Sequence, residues 1–312
     1  MTAVTRRDFL QAATAATAVM GTMAGLASAT ATAQLAPASE ATPAPADTPR
    51  SPWKKAVKTS ILKSAIQKDG ATWEEKITLA KESGYDAIEW DEPTTVEDAI
   101  KLQETARKLG TPCHGVVFGG WHAPLSDPDP AVVEKGLEGM RNAIDCARAM
   151  DTGTVLLVPA VVKPEVRYDE AYRRSQDNVR KLLEHAEKQK VVIGLENVWN
   201  RFLLSPLEFG RYIDEIGSPW VKAYFDVGNC IVQSYAEHWI EILGDRIIKI
   251  DMKDFSRKEH KFVPVGDGDV NFPEVKRLLQ KLKYDDYVTS ESSVKSPEEL
   301  ADSARRIDKV LA

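Results

Sequence analysis

Four strand-like runs in the C-terminal half of the chain end on a carboxylate or pass through one. VVIGLE closes on Glu196, VKAYFD on Asp226, RIIKIDM carries Asp251, and DYVTSE closes on Glu291. A stretch such as Val191-Val192-Ile193 reads as a strand buried on both faces, so an acid at its end needs a reason. Singly, each acid reads as a solvated strand end or a helix cap. Side by side at one height they crowd like charges into a small space, where they cannot all stay ionised without a cation. One divalent metal ion held by Glu196, Asp226, Asp251 and Glu291 is the simplest physical solution.

The elements that would bring them together repeat along the chain. Candidate strands fall at 57–61, 86–90, 113–118, 153–159, 190–196, 221–226, 246–252 and 286–291. Helical patterns lie between them, several opened by capping pairs: Thr72 with Glu75, Thr94 with Glu97, Ser205 with Glu208, Asn271 with Glu274 and Ser296 with Glu299. Pro206 and Pro297 fall at first helical positions, where a missing N–H costs nothing. Eight strand–helix units over 53–312 give an α/β chain with a single (β/α)8 TIM barrel, whose strand ends converge on one mouth. A doubly wound sheet competes, but no Gly-rich fingerprint follows the first strand.

Outside the barrel, residues 1–33 carry Arg6-Arg7 before Phe9-Leu10, then a small uncharged run and two A-x-A sites, Ala27-Ser28-Ala29 and Ala31-Thr32-Ala33. This resembles a twin-arginine (Tat) signal, which implies the Tat export machinery as a partner and a periplasmic or otherwise exported protein. The run's Ala/Thr-rich, Gly-interrupted composition, poor in Leu and Ile, argues against a membrane anchor and leaves either cleavage or a retained, lipid-free anchor. Residues 34–52 form a Pro/Ala-rich linker that cannot bury a core. A net charge of −6 supplies no basic stripe, so nucleic acid is excluded as a partner. Cys113, Cys146 and Cys230 have no metal-site spacing and read as small buried residues.

The stretches GLENVWN, YFDVGN, IIKIDMKDF, VGDGDVNF and YVTSES, with SGYDAIEW and GGWHAPLSDPDP matching more loosely, resemble the sugar phosphate isomerase/epimerase family with a xylose isomerase-like TIM barrel. Ketose 3-epimerases, hydroxypyruvate isomerase and inosose dehydratase belong to that group. The resemblance implies one divalent ion held by Glu196, Asp226, Asp251 and Glu291. It also implies proton abstraction beside a carbonyl, with Glu196 and Glu291 as the catalytic pair on opposite sides of a sugar or keto-sugar, and an enediolate between them. A homo-oligomer is compatible with it. Two positions depart from the family: Asp251 stands where His is usual, and Asn229 where epimerases often have a substrate-contacting His. An all-oxygen ligand set shifts preference from zinc toward manganese or magnesium, with cobalt, zinc and calcium as further options. It also leaves open that a water replaces Asp251 at the ion.

Weaker candidates for substrate binding are Glu89 at the end of the second strand, Trp121 and His122 after the third, Trp199 beyond Glu196, Asn229 and Lys253. Lys253 and Asp254 read either as groups that orient the ligands or as a surface ion pair. His114 reads as a satisfied core histidine, and GDGDVNF as a tight turn before the Asn271 cap. Export favours an unphosphorylated sugar, a polyol ketone or an oxidised glycoside. A keto-sugar or 3-keto-glycoside lyase using the same proton abstraction is the alternative enzyme; a sugar-binding protein without turnover is the further alternative, against which the paired glutamates argue.

Overall fold

A computed structural model describes residues 50–312 apart from Pro93. The signal-like segment and most of the linker lie outside the described residues. Eight parallel strands close into a barrel in the order β1-β10-β7-β6-β5-β4-β3-β2. They are β1 (Lys55–Lys58), β2 (Ala87–Trp90), β3 (Cys113–Gly119), β4 (Thr154–Leu157), β5 (Val192–Glu196), β6 (Val221–Asp226), β7 (Ile247–Met252) and β10 (Val288–Ser290). A two-stranded hairpin, β8 (Asp254–Ser256) and β9 (Lys261–Val263), is inserted after β7. Helices α1 (Thr59–Ala65) to α10 (Pro297–Leu311) surround the sheet. This is the expected single (β/α)8 barrel. Among the described residues, no helix is long and apolar enough to cross a membrane.

The caps mostly follow the sequence. Thr72 forms a full capping box with Glu75, and Ser205, Asn271 and Ser296 each accept the backbone N–H three residues on. One pair is shifted: Thr95, not Thr94, caps its helix, accepting from the Asp98 N–H at 3.2 Å. The first strand is also displaced. It was expected at 57–61, but it ends at Lys58 and Thr59 opens a helix. The cause lies on the loop after β2, where Asp91 accepts the Ser60 N–H (2.8 Å) and both the Thr59 and Ser60 hydroxyls, acting as a cap from a distance. The shift matters because it leaves Lys58 as the last residue of β1, at the barrel mouth.

One layer below the mouth the barrel holds a buried polar cluster. Lys249 Nζ donates to His114 Nδ1 (3.1 Å) and Asp286 Oδ1 (2.8 Å), while His114 Nε2 meets the Thr289 hydroxyl at 3.1 Å. His114 is therefore the satisfied core histidine its sequence suggested. Burial, then the Lys249 and Lys58 charges, hold its pKa well below the usual imidazole value. The three cysteines are buried and free.

Candidate metal centre

The four strand-end acids meet. One oxygen each from Glu196, Asp226, Asp251 and Glu291 can be chosen so that all lie within 4.8 Å of one another. Parallel pairing sets the height: Asp226 is the register partner of Asp251 across β6 and β7, and Thr289, two residues before Glu291, is the partner of Asp251 across β7 and β10. Asp226 and Asp251 are fully buried, Glu196 nearly so, and the Glu291 side chain keeps 26% exposure toward the opening.

Local structure fixes each aspartate through one oxygen. After β6 the chain turns tightly, so Asp226 Oδ1 accepts the N–H groups of Gly228 (2.7 Å) and Asn229 (2.8 Å). A side chain at 228 would put its Cβ 2.7 Å from the Lys253 carbonyl carbon, so the turn requires glycine there. Asn197 clamps the ends of β5 and β6, donating to Asp226 O (2.9 Å) and accepting from Asp226 N (2.8 Å). Asp251 Oδ2 accepts from Lys58 Nζ at 2.8 Å.

Two ammonium groups stand among these acids. Lys58 Nζ lies 3.2 Å from Glu291 Oε2 and 3.9 Å from Glu89 Oε2, in addition to Asp251. Lys253 Nζ lies 3.2 Å from Asp226 Oδ2 and 3.2 Å from Glu291 Oε2. Sequence reading missed Lys58, because it sits in the motif-free stretch KAVKTS. The signal available was a lysine inside a buried strand, which is too costly to keep unless paired. Asn197 was missed as well.

Charge balance sorts the acids. Burial, reinforced by Glu291, pushes the Glu196 carboxyl up to about 8. Burial raises Asp226 to about 6 against the pull of Lys253. Asp251 and Glu89 are also raised by burial, with Lys58 opposing in both cases. Burial would raise Glu291 too, but Lys58 and Lys253 together outweigh it and hold it down at about 2. The same carboxylates raise both lysines against the effect of burial.

The residues fit a hard divalent cation on their own evidence. Five carboxyl groups, counting Glu89, share two ammonium groups, so all of them could be ionised together only with a further cation. Asp251 Oδ1 is buried with no partner at all. Asp226 Oδ2 and Glu291 Oε2 make no hydrogen bond and have only their ion pairs with the lysines, and Glu89 Oε2 only the 3.9 Å approach of Lys58. Each aspartate thus has one oxygen fixed by hydrogen bonds and one free of them, the pattern expected of an oriented ligand. Bare oxygens in a packed interior cost about 1–3 kcal/mol each, and more when charged, unless something binds them.

The remaining candidates separate. Asn229 is part of the cluster: its Nδ2 approaches Glu196 Oε1 at 3.4 Å and donates to Asn197 O at 3.0 Å, and its Oδ1 accepts from Lys253 at 3.4 Å. Lys253 is tied to two of the acids, whereas Asp254 makes no pair with it. Asp254 accepts backbone N–H groups of Phe255, Gly266, Gly268 and Val270, closing the GDGDV turn as a structural anchor. Glu89 is fully buried and accepts from the Tyr224 hydroxyl. Trp199 is 46% exposed, its indole donating to Asn229 O at 2.9 Å and its ring tilted against Phe262 at 4.9 Å. Trp121 and His122 are exposed on the loop after β3, His122 edge-on to Phe118. A cavity of about 310 Å³ opens beside the cluster, lined by Lys253, Phe262, Glu291, Ser292 and Arg306 among others.

Comparison with known proteins agrees with this architecture. The chain is 28% identical over 242 residues to a putative L-ribulose-5-phosphate 3-epimerase, SgbU, of Escherichia coli K12, covering 72% of this chain and 84% of that protein. Among solved structures it is similar to an L-ribulose 3-epimerase (TM-score 0.68, 18% identity, 83% of this chain and 92% of that one). It is similar also to the 3-keto-D-glucoside 4-epimerase YcjR from E. coli (TM-score 0.67, 17% identity, 80% and 97%). These two likenesses are of fold. Residues 77–310 match a family defined by this barrel, and on that match the chain belongs to the xylose isomerase-like TIM barrel family.

Proposed function

We propose that this protein is an exported, divalent-metal-dependent sugar epimerase or isomerase that removes a proton from the carbon beside a carbonyl. The observation that carries the reading is the set of four carboxylates within 4.8 Å at the barrel mouth, three of them buried, and three with an oxygen that no hydrogen bond holds. Glu196, Asp226, Asp251 and Glu291 would hold the ion, manganese or magnesium suiting an all-oxygen site best. Bound there, it supplies Lewis acidity that polarises a carbonyl and an adjacent hydroxyl.

The chain's own groups supply the rest. Glu196 on β5 and Glu291 beside β10 are separated by two intervening strands, so they approach a sugar from different sides. One carboxylate takes the proton and the other returns one: to the far face of the same carbon for epimerisation, or to the former carbonyl carbon for isomerisation. Asn229 bridges Glu196 and Lys253 and holds both in place. The relatives named 3-epimerases favour inversion. The sugar itself is read as unphosphorylated, because the cations at the cavity are already paired: Lys253 with Asp226 and Glu291, Arg306 with Asp302 and Asp267.

The test is a panel of free, phosphorylated and glycosidic keto-sugars with added Mn(II) in deuterated water, followed by NMR. Deuterium entering one carbon of an epimer or isomer is the expected outcome. An unsaturated product would replace this reading by a lyase, and no exchange with any substrate would remove it. Export is tested separately: Arg6→Lys with Arg7→Lys should retain the precursor in the cytoplasm, and unchanged periplasmic accumulation would refute the export reading.

A further inference from the structure

The two aspartates of the centre are held by different kinds of donor. The oxygen of Asp226 that hydrogen bonds hold rests on two neutral backbone N–H groups, and its other oxygen lies 3.2 Å from Lys253 Nζ. The held oxygen of Asp251 rests on an ammonium, Lys58 Nζ at 2.8 Å, reaching from β1 across the position of β10. Both partners of this pair are buried, Lys58 at 5% and Asp251 at 0% exposure, and Asp251 Oδ1 is left without a partner. An ammonium in so dry a place is stable beside a divalent ion only if a carboxylate stands between the two charges.

We propose that Lys58 and Asp251 act as one neutral ligand unit, in which Lys58 is a positioning residue that holds Asp251 Oδ2 so that only Oδ1 faces the ion. The inference rests on the metal-site reading above. It follows that the charge an aspartate brings to this ligand position is cancelled at its source, and that Asp251 cannot be exchanged for a neutral ligand by itself. With histidine at 251 and Lys58 unchanged, the ammonium would lose its nearest carboxylate, keep only Glu291 at 3.2 Å and Glu89 at 3.9 Å, and leave the centre one positive charge richer. With Lys58 replaced as well by the uncharged, similarly long methionine, the charge balance of the centre returns to that of the natural protein, and the imidazole ligates through nitrogen.

The experiment titrates Mn(II) into the purified, chelator-treated protein. Calorimetry reads affinity, and electron paramagnetic resonance reads the free ion. Asp251→His alone should weaken Mn(II) binding by about 10- to 100-fold, the range expected when an orienting partner is lost. Lys58→Met/Asp251→His should return to within roughly threefold of the natural affinity. Two results overturn the proposal: Asp251→His alone binding as tightly as the natural protein, or the double variant binding as weakly as the single. If Asp251→His does not fold, the double variant decides, and binding about tenfold or more weaker than natural refutes the unit. If the natural protein itself binds no Mn(II), the metal reading fails separately. The pair is then judged by urea unfolding of Lys58→Met, Asp251→Asn and their combination. A double variant closer to the natural midpoint than either single supports the pair, and additive losses refute it.

Discussion

Two buried polar clusters lie one layer apart inside this barrel, and they are built to different ends. Lys249 and Asp251 sit two residues apart on β7, so their side chains enter the same interior about 6.6 Å apart along the strand. The lower cluster is complete: Lys249, His114, Thr289 and Asp286 use one another's donors and acceptors, and none of their buried polar atoms lacks a partner. The upper cluster has four buried carboxylate oxygens that no hydrogen bond satisfies. Both have an aromatic cover, Tyr287 with Lys249 6.0 Å from its centroid below, and Phe262 with Lys253 4.9 Å from its centroid above. A barrel that satisfies one charged layer fully makes the oxygens without hydrogen bonds in the next stand out, as the proposed site requires. The lower layer is a floor, and the upper one is where the proposed ion would bind.

The largest effect should separate chemistry from floor. Glu196→Gln and Glu291→Gln each keep an oxygen for the ion but cannot accept a proton, so deuterium exchange into the turned-over keto-sugar should fall by about 10²–10⁴ with the fold intact. Full exchange in Glu291→Gln would end the two-carboxylate mechanism. Lys249→Met should do the reverse. Removing one partner of a buried pair costs roughly 3–5 kcal/mol, and the low end applies because the Asp286 side chain is 34% exposed. Urea unfolding should show that loss while Mn(II) affinity stays near natural. A loss of Mn(II) binding without a loss of stability would mean that the two layers are not separate.

The sequence was a better guide to the acids than to the cations. Glu196, Asp226, Asp251 and Glu291 could be found because each interrupts or ends an apolar run, and a period-two strand aims its terminal side chain predictably. Lys58 could be read as a lysine inside a buried strand, but not as a group at the mouth, because its height depends on where β1 stops. That is decided by Asp91, some thirty residues on, capping α1 through Ser60. Asp254 misled for a related reason: beside Lys253 it resembled half of an ion pair, whereas its oxygens go to backbone N–H groups 12 to 16 residues later. Long-range hydrogen bonds leave no periodic trace in a sequence. Strand ends do.

The two layers should also respond oppositely to pH. In the upper one, Glu196 is raised to about 8 and Asp226 to about 6, so the folded chain holds protons that the unfolded chain has released. Their contribution is full below the ordinary carboxylate values and is lost as pH rises through the folded ones. In the floor, His114 is depressed, so its contribution is present above about 6.5 and is lost as pH falls. Between pH 6.5 and 8, therefore, only the upper layer should act. Metal-free protein in chelator should lose about 1.4 kcal/mol per pH unit for each proton retained. At the proposed site Mn(II) would displace those protons, so saturating ion should flatten the slope. Urea midpoints at the two pH values, with chelator and with Mn(II), test this. Metal-free stability that rises toward pH 8 would contradict it.

The smallest effect concerns the covers. Tyr287 below is half-buried and packs on His114 at 4.7 Å, so its ring is already engaged. Trp199 above is fixed by its hydrogen bond to Asn229 O and packs against Phe255 and Phe262, yet 46% of it remains open beside the mouth. A rigid, half-exposed indole is suited to the apolar face of a sugar, a contact worth about 0.5–1.5 kcal/mol. That contact is present equally before and during proton transfer. Trp199→Ala should therefore raise KM about 2- to 12-fold while kcat and Mn(II) affinity stay near natural. The opposite split would be informative. If kcat falls and KM does not, the indole acts through Asn229 on Glu196, and Trp199 then belongs to the cluster it covers.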